Sequence, residues 1–422
     1  MKIEWHKQPQ GEFSFTAGDI NIYHARMIAD QQITFVTELA GLLDLGKLEN
    51  ALAILHKALP ILSTVVKVKE DRFQRIPFPE YQPSISIARI TDNPQQEIVR
   101  FIGRPCDPEC EPPLKVHLIR QKDRDTLCFK IDHTLSDAAG LRYLLSLFAE
   151  AYSTGNIAQP INHERGFGQV FHQFSTWTIF KATRKASLPI PGTTLLHGKF
   201  HGENTFIEHL SLDPDHFEQM KLEARRNGAT VNDMLLAGLY QTVFKYINSD
   251  ESASYPVMVP VDMRRYLPEG QRGVIANLSS AVYPSLKVLP NESFHGTLER
   301  VKACMDDFKR DQPGLGPMLL MSVGALFGGR MIKQRYQKAA QRGSRFINYT
   351  NFGVLERERF IFRGTPIEQI YGVGPIQYAP GVLIALSTYQ NVLHFVVQGK
   401  GNQEFQAAIH QFLNEVVANL PK

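Results

Sequence analysis

The sequence predicts an α+β protein built as two halves, and three observations carry that prediction. The chain has 422 residues, enough for about two or three domains at roughly 100 to 200 residues each. Strand-like and helix-like patterns recur in both halves, in an irregular order that lacks the strict βαβ alternation of a doubly wound sheet. Between the halves, residues 153–205 carry the breaks STGN, PGTT and HGEN around one amphipathic stretch at 168–185, the composition of a long crossover. The expected division is a first half at 1–155, a linker at 156–205 and a second half at 206–422.

In chain order, the segment 37–68 reads as a helix followed by a strand. Leu48, Leu52, Leu55 and Leu59 recur at helical spacing, and ILSTVVKV is rich in β-branched residues. FIGRPCDPECEPPLK, residues 101–115, holds four prolines, which marks a surface connection or a covering loop. KVHLIR and TLCFKIDH, joined by the polar turn QKDRD, predict a hairpin. Leu141, Leu144, Leu145, Phe148 and Tyr152 then form one apolar stripe, so a helix closes the first half. The second half opens on the strand FIEHLSL and a helix reaching Arg226. A further helix, VNDMLLAGLYQTVFKYI, is entered through Thr230 as N-cap with Asp233 as its reciprocal partner. The strands YPVMVPVDMRR and VIANLSSAVYPSL, a helix at 298–308, the strands RFINYTNFG, GVLIALSTY and VLHFVVQG, and a closing helix at 404–420 complete the chain.

Composition removes several function classes. Hydrophobic residues make up 43% of the chain and charged residues 21%, which excludes disorder and fibres. With 46 Lys and Arg against 42 Asp and Glu, the excess of +4 is too dilute for nucleic-acid binding by bulk electrostatics. The start MKIEWHKQPQGEFSF lacks the apolar run of a signal peptide, and no stretch reaches about 20 apolar residues, so the expected location is the cytoplasm. Four cysteines, at 106, 110, 128 and 304, are too few to staple such a chain. Cys106 and Cys110 have no second pair at zinc-finger spacing, so free thiols and no metal site are expected. GxSxG, HExxH and P-loop patterns are absent.

One segment stands above this background: DTLCFKIDHTLSDAAGLRYLL, residues 125–145. By strand alternation Leu127, Phe129, Ile131 and His133 share one face, and Cys128, Lys130 and Asp132 the other. His133 therefore ends the apolar face, where the strand stops and a helix begins. An imidazole there can take a proton from an attacking hydroxyl or amine. A satisfied core histidine fits the same position. Asp137 is open to a capping reading as well, with Thr134 as N-cap and Asp137 reaching back to its amide. The order of strand, His-x-x-x-Asp and then Gly140, where a helix packs closely, favours a site.

HTLSDAAG, residues 133–140, resembles the HXXXD motif of the acyl-thioester-dependent acyltransferases. That superfamily includes chloramphenicol acetyltransferase, condensation domains of peptide synthetases, polyketide-associated acyltransferases and wax ester synthases. Three further segments follow in the family's order. GATVNDMLLAGL at 228–239 is similar to the GVTVNDVLLA helix, VPVDMRR at 259–265 to the PVDLR strand, and NYTNFG at 348–353 to the late SN-x-G or DFG-type element. The resemblance spans nearly the whole chain. It implies two chloramphenicol acetyltransferase-like lobes, each a mixed sheet with packed helices, and a tunnel between them.

The resemblance also implies roles. His133 would be the general base, and Asp137 a structural partner turned towards an arginine, because an unpaired buried carboxylate is costly. Arg264 is the first choice for that arginine and Arg265 the next, with solvent exposure at a strand end as the plain alternative. Asn232 and Asp233 match the family's ND pair and are equally explained as helix capping. Asn351 and Gly353 match the late element, which in the family supports the interface between lobes. The chain departs from the pattern at Asp132, where many members have a second histidine. It departs again in LPILSTVV, which lacks an expected arginine, and at Ala138 in place of a glycine. The implied reaction is direct acyl transfer from coenzyme A or carrier-bound phosphopantetheine, used as substrate and with no permanent cofactor, to a hydroxyl or amine. A separate carrier protein is an expected partner, nucleic acid is not, and a monomer is expected. A catalytically silent scaffold that binds a carrier protein is the alternative. Residues 317–345, apolar first and basic afterwards, could line an acyl tunnel or touch an anionic surface such as membrane lipid or the donor's phosphates. A core helix followed by a solvated basic helix fits them too, and Trp177 and Phe180 in the crossover are open in the same way.

Overall fold

A computed structural model describes residues 13–90, 93–184, 196, 198–246, 254–326, 329–342 and 347–421. The segment read for a signal peptide lies almost wholly outside the described residues, as do PGTT at 191–194 and the end of the basic stretch at 343–345. Two large sheets organise the chain. The first has five strands in the order Ile367–Val373, Gln32–Leu39, Asp125–Asp132, Leu114–Arg120 and Ile85–Arg89. The second has nine. Its main path runs Ser279–Val282, Ser254–Asp262, Ile347–Val354, Val382–Tyr389, Val392–Gly401, Ile376–Tyr378 and Ala29–Asp30. Asn204–Leu212 pairs with Val392–Gly401, and Ser285–Lys287 with Ser254–Asp262.

Each sheet takes a strand from the other half of the sequence. Ile367–Val373 runs antiparallel to Gln32–Leu39 with Ile370 opposite Thr37, and Ala29–Asp30 pairs with Ile376–Tyr378. The two lobes are thus interlocked through their backbones. The segment 37–68 holds the expected helix, Leu45–Ala58, and strand, Thr64–Lys69, but begins with the end of a strand that the sequence reading missed. Seven of the eight residues of Gln32–Leu39 are buried, so it shows no polar alternation to read.

The strand Asp125–Asp132 is buried along its whole length. Its Leu127, Phe129 and Ile131 belong to the first core with Leu141, Leu144, Leu145 and Phe148 of the helix Ala138–Thr154. On the other face Lys130 is buried and donates to the carbonyls of Phe101 and Arg104 at 2.7 and 2.8 Å. That satisfies an ammonium that would otherwise be costly to bury. The helix ends at Gly155, whose φ of +75° is the left-handed conformation that favours glycine at a helix terminus. The crossover stretch at 168–185 is two short helices, Gly168–Phe171 and Thr176–Arg184, rather than one. Phe167 and Val170 join Met263, Leu267, Val274, Ala276, Leu278, Leu315 and Met318 in a small core that ties the crossover to the second half.

Candidate active site

The HTLSD turn lies between the strand Asp125–Asp132 and the helix Ala138–Thr154, and its backbone is held from several directions. The amide of His133 donates to the carbonyl of Gln31 at 3.0 Å, and the carbonyl of His133 accepts from Asn277 Nδ2 at 2.9 Å. Arg165 donates to the carbonyls of Leu135 and Ile275, both at 2.6 Å, and pairs with Asp19 at 2.8 Å. Asp19 also accepts from Asn277 Nδ2 at 2.8 Å. Residues from the crossover and the second half therefore converge on the main chain of one turn, and Asp19 braces both of them. The His133 side chain is half-buried, and its Nδ1 is buried with no hydrogen-bond partner among the described residues.

Asp137 is the N-cap of the helix, with Oδ1 accepting from the Gly140 amide at 3.0 Å. The capping box from Thr134, the alternative reading of Asp137, is not formed. Thr134 instead donates its amide, at 3.0 Å, and its hydroxyl to Asp132, and accepts from Arg75 Nη2 at 2.7 Å. Asp137 Oδ2 accepts from the Leu278 amide at 2.8 Å and the Ser279 hydroxyl at 2.9 Å. Arg264 Nη1 sits 2.9 and 3.0 Å from the two carboxylate oxygens. Burial alone would push the Asp137 carboxyl up, but the Arg264 guanidinium, with the Gly140 and Ser279 donors, outweighs it and holds the group below the usual carboxylate range. These bonds leave Asp137 engaged away from the His133 ring.

Arg264 is equally committed. Its side chain is 5% exposed and also donates to Asp262 at 3.0 Å and to the carbonyls of Ala276 and Val274 at 2.7 and 3.3 Å. It does not lie on the strand that the sequence suggested. Asp262 Oδ1 accepts from the Arg264 amide at 3.1 Å, which ends the strand Ser254–Asp262 and starts a 3₁₀ turn over Met263–Tyr266. Arg265 is exposed and lies over the Tyr266 ring. Gly140 is the close-packing residue, since a Cβ there would lie 1.8 Å from Ser136 Oγ and 3.2 Å from Arg264 Nη2.

The other named residues are placed elsewhere. Asp233 forms a capping box with Thr230, whose amide it accepts at 2.9 Å, and lies 3.8 Å from Lys309. Asn232 accepts from the Tyr349 hydroxyl at 2.9 Å. None of these bonds reaches the His133 turn. Asn351 accepts from the Gly353 amide at 2.8 Å, and Gly353 has a φ of +81°. The carbonyl of Phe352, between them, accepts from Arg142 of the HTLSD helix at 3.2 Å, so this element braces that helix from the second half.

Sequence reading missed Asp19, Arg75, Arg165, Asn277 and Ser279. Only Asp19 carried a local signal, the reciprocal Thr16 and Asp19 capping box at the start of Ala17–Ala25. Arg75 is wholly buried, and burial together with the Arg165 charge pulls its guanidinium down to about 10. Burial pushes the neighbouring Asp132 carboxyl up, opposed in part by Thr134 and Arg75. Arg75 Nε and Nη1, Asp132 Oδ2 and Asn277 Oδ1 are buried polar atoms with unused hydrogen-bonding capacity among the described residues.

A cavity of about 290 Å³ lined by Tyr23, His24, Asp30, Gln31, Cys106 and Tyr378 adjoins this turn through Gln31. A second of about 590 Å³, lined among others by Phe200, His201, Glu203 and Lys400, shares Tyr378. His133 lines neither. Burial pushes the Cys106 and Cys128 thiols up, to about 11 and about 12, so neither is a thiolate nucleophile at neutral pH. Among the described residues no group of three His, Cys, Asp or Glu is placed to hold a metal ion, and no single helix is long and apolar enough to cross a membrane.

Comparison with known proteins agrees with this fold. Among solved structures, trichothecene 15-O-acetyltransferase from Fusarium sporotrichioides aligns with a TM-score of 0.72 at 12% identity, over 97% of this chain and 94% of that one. The first condensation domain of the calcium-dependent antibiotic synthetase, solved with a substrate analogue, gives 0.68 at 17% over 97% and 96%. Polyketide synthase associated protein 5 from Mycobacterium tuberculosis gives 0.65 at 16% over 95% and 96%. No curated protein sequence matches the chain. The two-lobed α+β architecture expected from the sequence is the architecture of these neighbours. The condensation-domain family matches residues 31–313, which include the whole HTLSD turn and its Arg264 partner, and the chain belongs to that family.

Proposed function

We propose that the protein is an acyltransferase that moves an acyl group from a thioester of coenzyme A or carrier-bound phosphopantetheine directly to a hydroxyl or amine, with His133 as general base. The observation that carries this reading is the state of the His133 turn. Its backbone is fixed by Gln31 and Asn277, its imidazole keeps an unbonded Nδ1, and Asp137 is occupied by Arg264. His24, His56 and His394 also keep one unbonded ring nitrogen, so what favours a base at His133 is that atom together with its place in the HTLSD turn that the family match covers. The fold neighbour that is an O-acetyltransferase supports the same chemistry.

In the proposed step the acceptor oxygen or nitrogen attacks the thioester carbonyl while its proton passes to the His133 imidazole. The new C–O or C–N bond forms, the C–S bond breaks, and the leaving thiolate recovers the proton from the imidazolium. No acyl-enzyme is needed, consistent with the raised thiols of Cys106 and Cys128. A positioned base contributes about 10²- to 10⁴-fold, so holding donor and acceptor together must supply much of the remainder. Asp137 and Arg264 act by fixing the turn, and Asn351 and Gly353 by bracing its helix.

The test is product analysis by liquid chromatography and mass spectrometry, with the purified chain given a panel of acyl-coenzyme A and acyl-carrier thioesters against alcohols and amines. Ester or amide formation above the uncatalysed background supports the proposal. Binding of a loaded carrier protein with no product from any pair would assign the chain to the silent scaffold instead.

A further inference from the structure

Eleven large hydrophobic side chains are exposed among the described residues, and six of them fall on three helices: Thr176–Arg184, Leu315–Leu326 and Arg330–Arg342. They are Trp177 (69% exposed), Phe180, Leu320, Val323, Leu326 (75%) and Met331. Thr176–Arg184 packs against Leu315–Leu326, which in turn packs against Arg330–Arg342. The first two helices send Ile179, Ala182, Leu315, Met318 and Met321 into one core with Met263 and Leu278. Their outer faces therefore look away from the protein side by side. Scattered exposed hydrophobics need no explanation, but a cluster of this kind does.

The charge on the three helices has one sign. The three helices contain seven Lys and Arg and no Asp or Glu. Asp71, from outside them, engages Arg330 at 3.0 Å and lies 3.9 Å from Lys333. Lys181, Arg335 and Lys338 are exposed around the apolar face. An apolar face with a tryptophan, on helices that carry cations and no acids, matches the boundary between acyl chains and anionic headgroups. The apolar helix has 12 residues, about 18 Å, well short of the roughly 30 Å of a bilayer core, and it meets the basic helix at 107°. A short apolar helix turning into a basic one fits an interfacial arrangement.

We infer that the face formed by Trp177, Leu320, Val323, Leu326 and Met331, with Lys181 and Lys338 at its rim, docks the protein on the surface of an anionic lipid bilayer. This docking is independent of the transfer chemistry and of the identity of either substrate.

The experiment is co-sedimentation of the full chain with vesicles of phosphatidylcholine alone or mixed with phosphatidylglycerol. The emission of Trp177 is followed in a Trp5→Phe background, since the chain has only two tryptophans. Binding to the anionic vesicles with a blue shift of Trp177, weakened by salt, is expected. Val323→Asp with Leu326→Asp should abolish it, and Lys181→Gln and Lys338→Gln should each weaken it by about fivefold, the loss of one cation near the surface. All four positions are exposed, and unchanged circular dichroism and melting would show that the variants fold. The inference is overturned if the chain stays in the supernatant with anionic vesicles, if the double aspartate variant binds as well as the parent, or if neutral vesicles bind equally. Ultracentrifugation showing a dimer that the aspartates dissolve, in place of vesicle binding, would overturn it too.

Discussion

Replacing Arg264 with methionine removes the one guanidinium among the described residues that engages Asp137 and leaves a carboxylate whose side chain is 3% exposed. Gly140, Leu278 and Ser279 would still donate to it, but the charge would have no counterion in direct contact among the described residues, and the Ala276 and Val274 carbonyls would each lose the Arg264 donor, Ala276 keeping the Ser136 hydroxyl at 3.0 Å. Breaking a buried pair from one side costs about 3–5 kcal/mol, and that is the expected loss at about pH 7. The pH dependence has a definite sign. In the parent, the Asp137 pKa is held low, so its ionised form contributes stability above the unfolded carboxylate pKa and that contribution is lost as pH falls through the folded value. Without Arg264, burial raises the carboxyl, and its folded form takes up a proton more readily than the unfolded chain. The deficit relative to the parent should therefore shrink as pH falls from about 7 to about 5. Urea melts of parent, Arg264→Met, Asp137→Asn and the double variant at both pH values measure this, and the double variant should regain about 2 kcal/mol over Arg264→Met. An Arg264→Met protein within about 1 kcal/mol of the parent at neutral pH would refute the reasoning, because the pair would then contribute no more than an exposed one.

Gly140→Ala places a Cβ 1.8 Å from Ser136 Oγ, and should cost about 1–3 kcal/mol in a urea melt, with partial recovery on adding Ser136→Gly. Gly353→Ala puts a side chain at φ +81° and 2.8 Å from Arg142 Nη1, so a loss of about 1–2 kcal/mol is expected, and no loss would show that the late element does not brace the helix. His209 and His394 meet at 3.1 Å between the strands Asn204–Leu212 and Val392–Gly401. Burial holds each down to about 4, with His209 also opposing the charging of His394. The unfolded chain therefore binds protons first, and stability should fall as pH drops from about 6.5 towards 4, with a shallower dependence in His394→Gln; an unchanged slope would locate the acid sensitivity elsewhere.

What the sequence disclosed follows from the range over which each contact acts. His133, Asp137 and Gly140 are legible because a strand end, a helix cap and a close approach occupy eight consecutive residues. Even there the cap was misassigned, since Asp132 competes for Thr134 and leaves Asp137 itself as the N-cap. Arg264 was named from the need for a counterion and from the resemblance, while its 3₁₀ turn depends on a side-chain bond from Asp262 that a strand pattern conceals. Arg165 and Asp19 are 146 residues apart, and Asn277 and His133 are 144 apart. No spacing rule connects such residues. The interlocking of the lobes was hidden for the same reason, because Ile367–Val373 finds its neighbour at Gln32–Leu39.

The account rests on one atom taking one proton, and the most direct measurement is the transfer rate of His133→Ala relative to the parent, on the thioester and acceptor pair that gives most product. The imidazole makes no hydrogen bond at Nδ1 among the described residues and is half-buried, so the variant should melt like the parent. Its rate should fall by about 10²- to 10⁴-fold, the contribution of a positioned base. A variant that is folded and transfers acyl groups at the parental rate would contradict the central claim.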